Sequence, residues 1–198
     1  MSLIVVPTGT ANIASVLAGL RRLGESPVLG ADPDLIRAAD RVVLPGVGSF
    51  GAAGAELDRV GLREVIRERV VEGRPTLAVC VGMQLLARSS EESVGAEGLG
   101  VIDRSVRRFP DEVRVPQLGW NRIVAGSGCR FVTDGWAYFA NSFRIDSVPE
   151  GWSAATTDHG GEFVSALERG EVLACQFHPE LSGVWGSALL GRWLGRAS

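Results

Sequence analysis

Lysine is missing from this chain, so all 20 basic residues are arginine, set against 23 acidic residues and a formal net charge of -3. Without lysine the protein cannot form a Schiff base on a side-chain amine, and it cannot hold phosphates with a P-loop lysine. Histidine is nearly missing too, so chemistry that needs an imidazole has two candidates, His159 and His178. The small negative charge gives no reason to expect nucleic acid or an anionic membrane as a partner.

Cysteine is also sparse, and the three residues Cys80, Cys129 and Cys175 lie far apart in the sequence. Because the chain has neither a CxxC pair nor a cluster of cysteine and histidine, we expect no metal site, and nothing suggests a cofactor. An odd and sparse set of cysteines fits a reducing compartment. The N-terminus has no basic region and no apolar stretch is long enough for a membrane span, so we expect a cytoplasmic protein.

The order of the predicted elements indicates an α/β fold, which we expect to form one domain over residues 1–198. Alternating strands and helices in the first half predict a parallel sheet wrapped by helices. The shorter strands after residue 95 predict antiparallel additions to that sheet. The predicted strands are 3–6, 27–29, 41–44, 76–79, 98–102, 113–115, 121–124, 136–141, 152–157, 163–167 and 172–177. The predicted helices are 13–23, capped by Asn12, one that opens at Asp32 and Pro33, 62–71 and 184–194.

The segment TLAVCVGMQLL, residues 76–86, contains the first candidate nucleophile. Its apolar strand ends at Cys80, and a helix is predicted to continue through Leu86. A nucleophile at such a strand-to-helix turn points out of the sheet and lies near a helix N-terminus, which favours the thiolate. Taken alone, Cys80 fits a buried structural cysteine better, because free cysteines are among the most buried residues.

The segment PGVGSFG, residues 45–51, directly follows a predicted strand. Its three glycines leave backbone N–H groups unshielded, as the binding of an anion or oxyanion requires. The spacing does not match a GxGxxG dinucleotide motif, and a Walker loop would need lysine. A plain glycine-rich turn is the alternative, but ligands of α/β sheets bind at this end of the strands.

The segment His178-Pro179-Glu180 follows the apolar strand 172–177. Residues two apart in an extended chain point to the same side, so the imidazole and the carboxylate can converge. A carboxylate beside histidine fixes its tautomer and stabilises the imidazolium. Most isolated pairs of this kind lie on the surface, and His159 lies in a predicted turn. With Cys80, the pair supplies a nucleophile, a base and an orienting acid.

Four segments resemble a known family. CVGMQLL (80–86) and FHPE (177–180) resemble the triad class, class I, of glutamine amidotransferases. PGVGSF (45–50) and VPQLGWN (115–121) are similar, more narrowly, to the glutaminase subunits of imidazole glycerol phosphate synthase in histidine biosynthesis, the HisH family. The resemblance implies a flavodoxin-like three-layer sandwich, with a mostly parallel central sheet and added antiparallel strands.

The resemblance also implies hydrolysis of glutamine to glutamate and ammonia through a thioester on Cys80, with His178 as acid and base and Glu180 orienting it. The implied partner is a (β/α)8-barrel cyclase subunit, HisF, which receives the ammonia in a heterodimer. The implied backbone donors of the oxyanion hole are Val47, Gly48 and Val81. The residues implied to contact glutamine are Gly48, Gln84, Glu92, Asn141, Ser142 and Phe143.

Two alternatives stay open. The chain can be a class I amidotransferase subunit of a different synthase, against which the two narrower motifs argue. It can also be a non-catalytic binding subunit of the same fold, against which the intact set Cys80, His178 and Glu180 argues. The family's usual His-Ser-Tyr is Asn141-Ser142-Phe143 here, and its usual lysine after the catalytic glutamate is Leu181.

Overall fold

The computed structural model describes residues 1–8, 13–46 and 48–196, so the predicted cap Asn12 lies outside the described residues. Its strands are β1 (Leu3–Val5), β2 (Val28–Leu29), β3 (Arg41–Leu44), β4 (Thr76–Val79), β5 (Ser89–Ser90), β6 (Ser105–Arg108), β7 (Gln117–Ala125), β8 (Gly135–Asn141), β9 (Phe143–Arg144), β10 (Ser153–Asp158), β11 (Glu162–Arg169) and β12 (Val172–Cys175). Its helices are α1 (Ile13–Arg22), α2 (Pro33–Ala38), α3 (Phe50–Arg59), α4 (Arg63–Val71), α5 (Val81–Gln84) and α6 (Gly183–Trp193), with a 3-10 turn at Pro179–Leu181.

One large sheet joins two halves of different character. Its strand order is β2-β1-β3-β4-β12-β11-β10-β7-β8. The strands from β2 to β12 are parallel neighbours, and those from β12 to β8 are antiparallel neighbours. Strands β4 and β12 are buried along their whole length, as expected for parallel strands covered on both faces. The predicted class, an α/β sandwich with added antiparallel strands, is confirmed.

The helices form the outer layers of this sandwich. Helices α1 and α6 both pack against the 3-10 turn, whereas α2 and α3 each pack on α4. Helix α2 begins as predicted, because Asp32 accepts hydrogen bonds from the N–H groups of Asp34 and Leu35 and Pro33 occupies the first turn. None of the helices in the described ranges has the length and apolar content that a bilayer-spanning segment needs.

Helix α3 is absent from the predicted elements. Its two glycines, Gly51 and Gly54, lower the helix propensity, so the segment looks like a loop. Tertiary contacts explain the helix: Phe50 and Leu57 are fully buried, and a side chain at Gly51 would crowd Ser93 at 3.1 Å. Close packing against Ser93 therefore favours glycine at position 51, whereas a Cβ at Gly54 would make only ordinary contacts.

Two predicted strands are wrong. Residues 98–102 instead bind the chain just after α5, with Leu99 N donating to Leu85 O at 2.7 Å and Ile102 N to Leu86 O at 2.9 Å. Residues 113–115 lie in an irregular segment before β7, and β6, which is not predicted, pairs with β5 and β9 in a separate small sheet. Short alternating segments do not reveal their pairing partner, and only the partner decides whether a strand forms.

Arg69 of α4 ties the helical layer to the ends of the strands. Its side chain is buried, and Nη1 donates to the carbonyls of Ile36 and Ala39, both at 3.0 Å. Nη2 donates to Pro75 O at 3.0 Å, just before β4. One cation therefore donates to three backbone acceptors. Pro75 O also accepts from Val42 N at 3.1 Å and Ala39 O from Arg74 Nη2 at 3.4 Å, so Ile36 O depends on Arg69 most.

We expect Arg69→Met to lower the free energy of unfolding by about 2–4 kcal/mol, because three hydrogen bonds are lost at once and Ile36 O loses its donor. Arg67→Met on the same helix is the matched control, since Arg67 is exposed and its ion pair with Glu64 is 3.7 Å long. We expect the control to change stability by less than about 1 kcal/mol. Urea unfolding measures both, and equal losses in the two variants would contradict the role given to Arg69.

Candidate active site

Cys80 ends β4 in a strained turn. Its backbone has φ 53° and ψ -113°, and among the described residues it is the one residue other than glycine with positive φ. An L residue adopts this conformation only where the surrounding packing enforces it. Its N–H donates to Cys175 O in β12 at 2.7 Å, and its side chain is nearly buried. The predicted strand-to-helix turn is therefore present, although α5 ends at Gln84 and not at Leu86.

Two glycines let the backbone pack closely around this turn. A Cβ on Gly82 would lie 2.2 Å from Leu44 O, and a Cβ on Gly46 would lie 2.5 Å from Gly82 N. Neither contact could be relieved by a side-chain rotation, because both partners are backbone atoms. The glycine-rich loop after β3 is thus pressed onto the first turn of α5, beside Cys80.

His178 and Glu180 lie at the carboxyl end of β12, the strand next to β4. His178 Nδ1 is 2.9 Å from Glu180 Oε1, and both side chains are nearly buried. The carboxylate can only accept, so Nδ1 carries a proton and Nε2 is the nitrogen that faces Cys80. The structure brings the predicted nucleophile, base and acid together. His159 lies elsewhere, with Nε2 2.9 Å from Arg114 O.

The surroundings of His178 favour its protonated form. Burial lowers the pKa of His178, but the hydrogen bonds and charges of Cys80 and Glu180 outweigh burial and raise the pKa to about 10. The imidazole therefore holds its proton at neutral pH and releases it as the pH rises through about 10. At physiological pH the site offers a proton donor directly beside the sulfur.

A cavity of about 270 Å³ opens onto Cys80 and His178. Larger depressions of about 400 and 530 Å³ exist elsewhere, but they contain neither of these residues. All six residues predicted to contact the substrate line the 270 Å³ cavity, namely Gly48, Gln84, Glu92, Asn141, Ser142 and Phe143. Val47, a predicted oxyanion donor, lies outside the described residues.

Several cavity residues also have structural partners. Glu92 Oε2 accepts from Phe50 N at 2.6 Å, so this carboxylate caps the N-terminus of α3. Asn141 Nδ2 donates to Phe143 O at 3.0 Å, while Asn141 Oδ1 is buried with no partner among the described residues. The unpaired amide oxygen is an acceptor available to a ligand in the cavity.

The backbone N–H of Val81, a predicted oxyanion donor, is directed at the glycine-rich loop. It donates to Gly46 O over 3.4 Å, a long and weak hydrogen bond. An oxyanion formed on a substrate would have to take the place of this carbonyl. The donor is thus present next to Cys80 but is occupied in this conformation.

Gln176 is absent from the predicted site residues, yet its amide contacts the nucleophile. Its side chain is fully buried, and Nε2 lies 3.7 Å from Cys80 Sγ. The position could have been found from the sequence, because Gln176 precedes His178 by two residues in extended chain and so faces the same side.

Comparisons with known proteins agree with this geometry. The family model of class-I glutamine amidotransferases matches residues 8–192. The chain is 41% identical to imidazole glycerol phosphate synthase subunit HisH of Streptococcus gordonii over 96% of this chain and 94% of that protein. It is 38% identical to the Escherichia coli subunit of the same name, over 98% of this chain and 99% of that protein.

Solved structures show the same fold at lower identity. A glutamine amidotransferase crystal structure superposes with a TM-score of 0.77 at 21% identity, covering 97% of each chain. The PurLQS structure from Thermotoga maritima gives a TM-score of 0.75 at 16% identity, covering 98% of this chain and 97% of that chain. By its sequence matches over nearly the whole length, the chain belongs to the class-I glutamine amidotransferases and, within them, to the HisH subunits of imidazole glycerol phosphate synthase.

Proposed function

We propose that this protein is a glutaminase subunit that hydrolyses glutamine to glutamate and ammonia and delivers the ammonia to a cyclase subunit in histidine biosynthesis. The observation that carries the proposal is the convergence of Cys80 and His178 at one cavity, with Glu180 hydrogen-bonded to His178, in a chain of the HisH family. We further propose that residues 1–198 form one glutaminase domain. A free thiol nucleophile must stay reduced, which supports a cytoplasmic location.

In the first half of the reaction, Cys80 Sγ attacks the side-chain amide carbon of glutamine. The carbonyl electrons move onto oxygen, which becomes an oxyanion for backbone N–H groups to bind. When the C–N bond breaks, the protonated His178 gives its proton to the departing nitrogen, which leaves as ammonia. A thioester on Cys80 and a neutral imidazole remain.

In the second half, the neutral His178 takes a proton from water, and the resulting hydroxide attacks the thioester carbon. The C–S bond breaks, glutamate is released, and the sulfur and imidazole recover their starting state. Glu180 holds the ring through Nδ1 at 2.9 Å, which keeps Nε2 directed at the reacting atoms in both halves. No other imidazole lines the cavity.

We propose that glutamine is held by the polar groups along the cavity. The Asn141 Oδ1 atom, which lacks a partner among the described residues, can accept from an amino or amide N–H group of the substrate. The cavity is also lined by Gly48, Gln84, Glu92, Ser142 and Phe143. The Val81 N–H and the backbone at Val47 and Gly48 would form the oxyanion hole after Gly46 O moves away.

The partner we propose is the (β/α)8-barrel cyclase HisF. The HisH relatives are named as subunits, which supports a synthase partner. The outward side of the β7–β8 hairpin carries large exposed apolar side chains, and it is called the aromatic face below. Contiguous apolar surface with exposed tryptophan is typical of protein interfaces. The aromatic face consists of the exposed Leu118, Trp120, Val124 and Trp136 and of the half-buried Tyr138.

Two hydrogen bonds of Tyr138 connect the aromatic face to the residues on either side of the 3-10 turn at Pro179–Leu181. His178 N donates to Tyr138 O at 2.9 Å, and Tyr138 N donates to Ser182 Oγ at 3.0 Å. The Trp120 ring lies 3.7 Å from the position of a Cβ on Gly183, directly after that turn. A partner that presses on Trp120 therefore acts on the segment that carries His178 and Glu180.

We expect Cys80→Ser to reduce ammonia release from glutamine to background, because a serine hydroxyl is a far weaker nucleophile than a cysteine thiol. Cys129→Ser is the control, since Cys129 is a half-buried cysteine in another part of the chain and should leave turnover unchanged. The assay is run with and without the cyclase. Full turnover by Cys80→Ser would contradict the glutaminase assignment, as would failure of an electrophilic glutamine analogue to label Cys80.

We expect Glu180→Gln to shift the titration of His178 to lower pH, because the variant removes an anion that stabilises the imidazolium. The pKa of His178 in the unaltered protein is raised to about 10, so its ring should stay protonated across the neutral range. NMR of the two histidine rings measures this, with His159 as internal reference. Glutaminase kcat should fall about 10²- to 10⁴-fold; an unchanged His178 titration would contradict the role of Glu180.

We expect Trp120→Ala to weaken the complex with the cyclase at least about tenfold, because an aromatic side chain 55% exposed in the free subunit would be buried in the interface. Leu35→Ala on α2 is the control, as Leu35 is equally exposed, at 55%, on a different element. Calorimetric titration gives both affinities. Equal affinity of the two variants would place the interface elsewhere.

A further inference from the structure

The carboxamide of Gln176 links the nucleophile to the substrate cavity. Nε2 lies 3.7 Å from Cys80 Sγ, within hydrogen-bonding range for sulfur, and Oε1 accepts from Gln84 Nε2 at 3.0 Å. A fully buried amide is costly unless its groups are paired, so these contacts hold the side chain in place. Its backbone N–H is bound as well, to Ser165 O at 2.9 Å.

The orientation of this amide follows from a backbone carbonyl. Phe143 O can only accept, and it lies 3.2 Å from the Gln84 side chain, so the Gln84 atom facing it must be Nε2. The same Nε2 meets Gln176, which must therefore present its oxygen to Gln84. The opposite end of the Gln176 amide, its NH₂ group, is then the end directed at the Cys80 sulfur.

The protonated His178 stabilises a thiolate at Cys80 by its charge, but the backbone sources of stabilisation are weak. Helix α5 has a single turn, Val81–Gln84, so its dipole contributes less than that of a long helix. The first N–H of that helix is engaged with Gly46 O. A local donor aimed at Sγ therefore matters more here than the position of the cysteine at a helix N-terminus.

We propose that Gln176 is a further catalytic residue, whose carboxamide donates a hydrogen bond to the sulfur of Cys80 and stabilises it as the thiolate. The inference rests on the proposed glutaminase function. Gln176 and His178 approach the sulfur from the same strand end, two residues apart. The imidazolium supplies the proton of the reaction, and the amide supplies a fixed donor.

No proton leaves Gln176 during the reaction. Its hydrogen bond is strongest when the sulfur is negative, which occurs before the attack on glutamine and again when the C–S bond of the thioester breaks. In the first state the amide increases the thiolate population, and in the second it stabilises the leaving sulfur. Loss of the donor should therefore reduce kcat more than it raises KM.

The test compares Gln176→Met, which keeps the size and removes the donor, with Gln176→Glu, which keeps the shape and replaces the donor by a carboxylate. Gln117→Met is the matched control, the same substitution at another buried glutamine. The first readout is the pH profile of Cys80 alkylation by iodoacetamide, resolved from the other cysteines by peptide mass spectrometry. The second is kcat and KM for glutamine.

We expect Gln176→Met to move the midpoint of the alkylation profile upward by about one pH unit or more and to lower kcat about 10- to 100-fold, the loss typical of a hydrogen bond to a charged group. Gln176→Glu should move the midpoint further, because a carboxylate repels the thiolate. It also replaces Gln176→Met as the decisive variant if the methionine protein does not fold. The alkylation profile and kcat of Gln117→Met should equal those of the unaltered protein.

An alkylation profile unchanged in both Gln176 variants would overturn the inference and leave Gln176 as a packing residue, even if kcat or thermal stability fell. Because alkylation requires no glutamine turnover, this readout is independent of the proposed function. If the unaltered protein released no ammonia with or without the cyclase, the proposed function would fail. If it turned over normally and Gln176→Met matched it in profile and kcat, the inference alone would fail.

Discussion

The left-handed backbone at Cys80 is the constraint on which the rest of the site depends. Such a conformation in a residue with a side chain costs about 1–3 kcal/mol, so it persists only where neighbouring structure holds it. Here the N–H of Cys80 is bound to β12, and Gly82 lies against Leu44 O with no space for a side chain. The parallel core of the sheet therefore supplies the stability that keeps the sulfur directed at the cavity and not into the hydrophobic interior.

The two halves of the sheet have separate tasks. The parallel half brings the ends of β3, β4 and β12 side by side, which places the glycine-rich loop, the nucleophile and the histidine at one edge. The antiparallel half adds the β7–β8 hairpin, whose inner backbone binds His178 and whose outer side carries exposed tryptophan. The hairpin thus joins the catalytic segment to the proposed partner surface, and a change at that surface can reach His178 through a few hydrogen bonds.

Elements with strong local signals agree between sequence and structure. Strands β3 and β4 match their predicted bounds because continuous apolar runs between turn residues have few alternatives, and Asp32-Pro33 starts α2 as its capping chemistry indicates. Elements that depend on distant contacts do not agree. Helix α3 forms although Gly51 and Gly54 lower its local propensity, because Phe50 and Leu57 are buried in the core. Residues 98–102 bind the chain after α5 instead of forming a strand.

The sequence by itself determined the chemical types of the site and the family: one cysteine at a strand-to-helix turn, one histidine followed two residues later by a glutamate, and motifs that match over nearly the whole chain. Those features are local, because strand periodicity and residue spacing determine which side chains point to the same face of a strand. Only the tertiary structure decided that Gly46 O accepts the hydrogen bond of the Val81 N–H and that the amide of Gln176 faces the sulfur of Cys80. Both depend on the packing of segments about 35 to 95 residues apart, and no local pattern sets the direction of a peptide carbonyl or a side-chain amide.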